Sequence, residues 1–267
     1  MSIDPGVAHT SRIYDYLLGG TNHFAVDREV AAHAFAAYPG GLDGARADAR
    51  ANRAFLGRAV RFLAGDVGLR QFLDIGSGIP ASANTHQQAQ ELAPAARVVY
   101  VDNDAIVLAH AHALLAGSTE GTVAFVPGDL RRPDAVLAHA AATLDLSRPV
   151  GLLLIGVLHV VPDADDPQGC VARVVEALAP GSHVVISHMT VEPVDGADLA
   201  AVGSRLNERM HASNPPALRD RAGVAAFLSG LELVDPGLVA VPDWRPGGDA
   251  PAGDRPTPLL AAVARKP

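Results

Sequence analysis

From residue 69 onward the chain alternates short aliphatic or β-branched runs with amphipathic segments: LRQFLDI, THQQAQELA, RVVYVD, DAIVLAHAHALLAG, TVAFVPGD, a short helical pattern near 134–140 and PVGLLLIGVL. Strands separated by a helix-length of chain cannot pair through a tight turn. They cross over and run parallel, so this alternation builds βαβ units on a parallel sheet. The pattern continues with a helix over about 167–179, opened by Asp166 as N-cap and Pro167 in the first helical position, and a strand at SHVVISHM. Helical patterns follow at about 195–212 and 219–229. ELVDPGLV and TPLLAAVAR then close the sheet as an antiparallel pair across a Pro/Gly-rich stretch, PDWRPGGDAPAGDRPTP at 242–258, long enough to be mobile or part of a site. The expectation is an α/β fold with a seven-stranded, mostly parallel sheet and an antiparallel C-terminal strand.

The first 68 residues read differently, as helices: SRIYDYLLGG, VDREVAAHAFAAY and ARADARANRAFLGRAVRFLAG. In the third, Phe55, Leu56, Ala59, Val60 and Leu63 recur at helical spacing and form an apolar stripe suited to packing on a sheet. Residues 1–68 are therefore expected to form a helical cap or lid on a sheet domain at 69–267, the two making one continuous structural domain.

Composition narrows the partners. Apolar residues make up 49% and charged ones 19%, which suits a packed core. The formal charge is −8, and the basic residues, nearly all Arg with Lys266 the only lysine, are scattered, so no footprint for nucleic acid stands out. The single cysteine, Cys170, has no partner for a disulfide and shares a helical pattern with Val171, Val174, Val175 and Leu178, which makes it a small buried hydrophobe in a reducing compartment. The longest apolar run, VGLLLIGVLHVV at 150–161, is too short to span a bilayer, and MSIDPGVAHT has no basic or apolar targeting pattern, so a cytoplasmic location is expected.

The stretch FLDIGSGIPAS, 72–82, ends a strand in an acid and places two glycines one residue apart. At the carboxyl end of a parallel strand such a turn brings backbone N–H groups and a helix N-terminus against a ligand. An acid at the end of the next strand, Asp102 in VVYVDND, lies 28 residues after Asp74 and is placed to take two ribose hydroxyls, which points to a nucleoside-containing ligand. GSGIPA also satisfies the dinucleotide fingerprint with Ala81 in the third position, so nicotinamide binding stays open on the glycines alone. Three features favour S-adenosyl-L-methionine: the acid two residues before the first glycine, a second acid in VPGDL, and LLLIGVLHVVPD at the fourth strand.

Those motifs, in that order, resemble the class I methyltransferases and their Rossmann-like fold. SRIYDYLLGGTNHFAVDRE, ANRAFLGRAVRFLA, QFLDIGSGIPAS, ARVVYVDNDAIVLAHAHALL and LLLIGVLHVVPDADDP further resemble an actinobacterial family of S-adenosyl methyltransferase-like proteins over nearly the whole chain. The resemblance implies S-adenosyl-L-methionine as cofactor, S-adenosyl-L-homocysteine as product, and roles for the residues that match. The turn Gly76, Ser77, Gly78 would leave room for the methionyl part, with Asp74 on its ammonium group. Asp102 would take the ribose and Asn103 would flank the adenine. The carboxylate of Asp129 would accept from the adenine amino group and the backbone N–H of Leu130 would donate to the ring.

His159, at the end of the fourth strand, faces the place of transfer either as a base or as a wall of the adenosine pocket. His188 ends the fifth strand and reads as a surface histidine. His110 and His112 stand two apart on a helix and do not face each other, and Asp163, Asp165 and Asp166 suit turns and caps, so no metal is expected. Tyr14 and Tyr16, on a helix ending at Gly19 and Gly20, with Asn22 and Phe24 beyond it, are expected to form a lid over cofactor and acceptor; Asn52 and Arg53 sit on the next helix, with Arg53 within reach of the methionine carboxylate or of a surface acid. The activity expected is methyl transfer to a small molecule. A non-catalytic S-adenosylmethionine binder is the first alternative. A nicotinamide-dependent oxidoreductase is the second, although the chain offers no Tyr-x-x-x-Lys pair for it.

Overall fold

The computed structural model describes residues 4–81, 83–104, 106–109, 121–192, 194, 198–210, 217–247 and 256–267. His110, His112 and the 248–255 part of the Pro/Gly-rich stretch lie outside the described residues. Three helices come first: α1 (Thr10–Leu18), α2 (Ala25–Ala34) and α3 (Gly41–Arg61). α1 stops at Gly19, whose φ of 83° is the left-handed conformation that a helix C-cap requires and glycine adopts freely. A side chain on Gly20 would overlap the carboxylate of Asp15, so the second glycine of the pair makes room for a buried acid.

The sheet alternates with helices as β1 (Gln71–Ile75), α4 (Thr85–Leu92), β2 (Arg97–Asp102), β3 (Thr122–Pro127), α5 (Pro133–Ala140), β4 (Gly151–Ile155), α6 (Pro167–Ala177) and β5 (His183–Met189). After these come α7 (Leu199–Met210), α8 (Arg221–Ala226), β6 (Glu232–Leu233), β7 (Val239–Ala240) and β8 (Leu259–Arg265). The strand order is β3-β2-β1-β4-β5-β8-β6, with β7 also on β8. β1 to β5 are parallel, and β8 runs antiparallel to β5, β6 and β7. This is the Rossmann-like, mostly parallel sheet with an antiparallel C-terminal strand. Eight strands rather than seven occur among the described residues because ELVDPGLV splits into β6 and β7 around Pro236, which has no N–H for a continuous ladder.

Side chains of each central strand alternate between two cores. Leu73, Ile75, Val99, Val101, Leu152 and Leu154 pack with Val136, Val171, Val174, Val224 and Phe227 of α5, α6, α8 and the turn after α8. Phe72, Val98, Tyr100, Leu153 and Val185 meet the α3 stripe of Phe55, Leu56, Ala59 and Val60, with Leu63 just beyond it. The first half of α3 enters a third core with Ile13, Leu17, Val30 and Ala31, to which Leu199 and Val202 of α7 also belong. α3 thus ties the cap to the sheet, and its Arg58 donates to the carbonyls of Val241 and Trp244 at 2.7 and 2.9 Å. Asp166 caps α6 by accepting from the N–H of Gly169 at 3.0 Å, with Pro167 at the first position. Cys170 is half-buried rather than enclosed, its thiol turned toward the Asp165 carbonyl at 3.5 Å, because its helix position looks toward the capping loop. None of the described helices is long and apolar enough to cross a membrane.

Candidate functional site

The strand order reverses between β1 and β4, and the crevice at their carboxyl ends is where an open α/β sheet offers a binding site. The glycine turn after β1 is held by its neighbour strand: Gly76 N–H donates to Val101 O at 2.8 Å and Gly78 N–H to Asp102 Oδ2 at 2.9 Å. Both glycines have positive φ, 75° and 67°, but their surroundings differ. A Cβ on Gly76 would strike Val157, so the space it leaves belongs to the protein's own core; a Cβ on Gly78 would meet nothing within 4 Å. The room expected at both glycines is therefore present at Gly78, while at Gly76 a valine side chain takes it. The hydroxyl of Ser77, buried in the same turn, has no hydrogen-bond partner.

Two buried acids face this turn. Asp74 accepts from Thr85 Oγ1 at 2.6 Å, and burial pushes its carboxyl up to about 6 against the opposing effects of Thr85 and Arg53. Asp102 uses Oδ1 for the N–H of Asp104 at 2.9 Å and Oδ2 for Gly78, and burial raises its pKa too. A carboxylate has about four lone-pair sites, so each acid keeps acceptor capacity beyond these bonds. Asp104 caps the helical residues 106–109 through Ile106 N–H at 2.8 Å and pairs with His9 at 3.0 Å. After β3, Asn103 Nδ2 donates to Asp129 Oδ2 at 3.0 Å, so the two residues expected near adenine touch each other. Arg131 forks onto Asp129, with a shortest contact of 2.6 Å, and holds that carboxyl down to about 2. The Leu130 side chain is buried in the core, which leaves its backbone for any ligand contact.

His159 does not end β4. The strand stops at Ile155, and His159 lies in a single 3-10 turn, Leu158–Val160, entered through Gly156 at φ 67°. Its Nδ1 is buried without a partner, and burial, with help from Arg219, lowers its pKa to about 4. A Cβ on Gly156 would have His159 Cε1 at 3.6 Å and Asn52 Nδ2 at 3.5 Å, so a cap residue and a sheet-loop residue meet across this glycine. Asn52 in turn donates to Tyr14 Oη at 3.1 Å. Of the lid residues expected from sequence, Tyr14 is thereby joined to the crevice. The described contacts of the others stay within the cap: Tyr16 Oη accepts from Arg46 at 2.8 Å, Asn22 N–H donates to Asp15 at 2.8 Å, and Phe24 lies under the Arg12 guanidinium at 4.9 Å. Arg53 bonds to Ala83 O at 3.1 Å and Asn84 Oδ1 at 3.4 Å, just past the glycine turn.

His188 is not a surface residue; it is fully buried, because the β8 and α8 region closes over the end of β5. Its Nδ1 donates to Met189 O at 2.7 Å, which leaves Nε2 as the acceptor for Arg219 Nη1 at 2.9 Å and fixes the neutral tautomer. Burial, the neighbouring His159 and Arg219 lower its pKa to about 3. Arg219, which sequence reasoning missed, also donates to the carbonyls of Leu158, Val161 and Ala217 at 3.0, 3.0 and 3.1 Å and pairs with Asp163. It holds the loop carrying His159 against the end of β5. No local pattern around LRDRAG marks one arginine as buried. Asp27 and Arg12, a buried pair at 2.8 Å, were equally silent, although Asp27 three residues after Phe24, whose N–H it accepts at 2.8 Å, is a legible capping position. The acids Asp163, Asp165 and Asp166 go to Arg219, Arg131 and the α6 cap.

The pattern of a family described as S-adenosyl methyltransferase matches residues 1–267. A DUF574 family protein from Streptomyces avermitilis is similar at 41% identity, covering 100% of each chain with a TM-score of 0.92. A Thermobifida fusca protein, provisionally assigned as a methyltransferase, is similar at 35% identity, covering 98% of this chain and 96% of its own, with a TM-score of 0.86. Among proteins of curated function none matches the chain.

Proposed function

Since the chain belongs to the S-adenosyl methyltransferase family, we propose that it transfers a methyl group from S-adenosyl-L-methionine to a small molecule, leaving S-adenosyl-L-homocysteine. The observation that carries this reading is the open turn at Gly78, tied by its own N–H to Asp102 and flanked by buried Asp74. The orphaned hydroxyl of Ser77 and the vacant space at Gly78 fit a ligand that brings both donors and acceptors. Asp102 would receive the ribose hydroxyls, Asp74 the ammonium group, and the Asn103–Asp129 pair with the Leu130 N–H would border the adenine.

When bound, the cofactor supplies a sulfonium-activated methyl group, which forms a bond to O, N or C of the acceptor while the S–C electrons remain on sulfur. The chain's contribution is alignment and exclusion of water, which suffices for much of such a reaction. Burial and Arg219 hold His159 neutral, and its unpartnered Nδ1 would orient an O–H or N–H of the acceptor as the bond forms. Tyr14, Tyr16, Asn22 and Phe24 belong to the cap segment that would cover acceptor and cofactor. The net charge of −8 favours a small acceptor over nucleic acid. The reading is tested by thermal melting: S-adenosylmethionine and S-adenosylhomocysteine should raise Tm while NAD and NADP do not, because a ligand adds RT ln(1 + [L]/Kd) to the stability of the state it binds. A rise with NAD alone would overturn it.

A further inference from the structure

Asn52 is 4% exposed, and one end of its amide has no partner. Which end is fixed by Tyr14. The single hydroxyl hydrogen of Tyr14 goes to the carbonyl of Ala49, 3.3 Å away, so toward Asn52 the oxygen can only accept, and it accepts from Nδ2 at 3.1 Å. The carbonyl end, Oδ1, is thereby left as a buried acceptor with nothing to accept. Buried acceptors are almost always satisfied, so an exception held in place by a second residue points to a ligand.

The location narrows what that ligand group is. Asn52 borders the space over Gly156 at the carboxyl end of β4, and the next residue of that loop, Val157, packs on Gly76 of the β1 turn. Arg53, one residue on, acts electrostatically on both Asp74 and Tyr14 and bonds to the backbone just past the same turn. Asn52, over the end of β4, and Asp74, at the end of β1, therefore belong to the same end of the crevice, joined through the Val157–Gly76 contact. An amide oxygen and a carboxylate together offer acceptors only, and the group that needs acceptors only is an ammonium. Resting on the methyltransferase reading above, we infer that Asn52 Oδ1 receives the α-ammonium group of the bound S-adenosyl ligand, with Tyr14 as the positioning residue that sets the amide. The amino-acid end of the cofactor is then held jointly by the cap and the sheet, so cofactor binding and cap placement are one event.

The test compares two ligands in calorimetric titrations: S-adenosylhomocysteine, and 5′-methylthioadenosine, which keeps the nucleoside and sulfur but lacks the amino-acid end. Asn52→Leu should weaken S-adenosylhomocysteine about tenfold or more, the scale of one hydrogen bond to a charged group, and change methylthioadenosine less than about twofold. Asn52→Asp, which keeps an acceptor, should retain most of the affinity for S-adenosylhomocysteine. Tyr14→Phe should weaken it by a smaller factor than Asn52→Leu and again spare methylthioadenosine. Equal losses for both ligands, or full S-adenosylhomocysteine affinity in a folded Asn52→Leu protein, would overturn the inference. Failure of the unaltered protein to bind S-adenosylhomocysteine at all would instead sink the cofactor reading on which it rests.

Discussion

Asp102, at the end of β2, closes the glycine turn of β1 by accepting the N–H of Gly78 at 2.9 Å. One carboxylate therefore serves the backbone of the turn and stands where a ribose would be received, and the two roles predict different measurements.

Replacing Asp102 by Ala removes charge-assisted contacts worth about 1.5–3 kcal/mol each, so S-adenosylhomocysteine should bind at least about tenfold more weakly. The turn itself should loosen, with faster amide exchange at residues 76–78 in the absence of ligand. Faster exchange with unchanged affinity would mean that the acid only fastens the turn.

Stability should depend on acid through three buried groups with opposed signs. His159 and His188 stay neutral in the fold down to about 4 and about 3, whereas unfolded histidine titrates near 6.5, so unfolding takes up protons and stability falls as pH drops below that value. Each contributes a slope of about 1.4 kcal/mol per pH unit. Asp74, raised to about 6 in the fold, acts in the other direction: between there and the ordinary carboxylate range the native state holds the extra proton, so its contribution is present at low pH and lost on rising through about 6. Melts between pH 7 and pH 4.5 should therefore show a shallower acid loss for His188→Gln and a steeper one for Asp74→Asn. Three superimposable pH profiles would contradict the assignment.

The Arg12–Asp27 pair anchors the cap, since Asp27 also accepts the N–H groups of His9 and Phe24, both at 2.9 Å or closer. Asp27→Ala leaves Arg12, which is 2% exposed, with an uncompensated buried charge and should cost about 3–5 kcal/mol. The double replacement Arg12→Met with Asp27→Leu should recover part of that in urea melts, because two well-packed apolar side chains avoid the stranded charge. A double variant no better than Asp27→Ala would place the importance in the hydrogen bonds to backbone instead.

Arg219→Lys keeps the charge but not the planar fork that reaches three carbonyls and His188. With buried acceptors left short at about 1–3 kcal/mol each, Tm should fall by several degrees. The 15N shift of His188 Nε2 should also move, because its donor is gone. An unaltered His188 spectrum would show that the arginine supports the loop without setting the tautomer.

Phe24 is 39% exposed and rests on Arg12, so Phe24→Ala should cost little stability. If the cap covers the acceptor, it should lower turnover more than cofactor affinity once an acceptor is in hand. Amides of residues 12–29 should exchange more slowly with S-adenosylhomocysteine bound, and by more than those of the sheet. Exchange in that segment indifferent to ligand would return Tyr16, Asn22 and Phe24 to packing roles.

The strands, the helix stops and the caps were legible because the interactions that make them are local. Asp166 reaches Gly169 three residues on, Gly19 ends its own helix, and Phe55, Leu56, Ala59 and Val60 form a stripe whatever they meet. The order of glycines and acids, read with the alternation, also placed the candidate site at the carboxyl ends of β1, β2 and β4. The sequence could not distinguish Gly76 from Gly78, since the difference is Val157, about 80 residues away in the chain and in contact only once β1 and β4 pair. Nor could it bury His188, orient Asn52 through Tyr14, or pick Arg219 from the chain's other arginines, because desolvation and long-range hydrogen bonds depend on what the fold brings to a side chain rather than on its neighbours in sequence. The chain by itself determined the class of fold and pointed to a nucleoside-containing ligand; tertiary packing decided which polar atoms were left without partners, among them Ser77 Oγ, Asn52 Oδ1 and His159 Nδ1 of the candidate site.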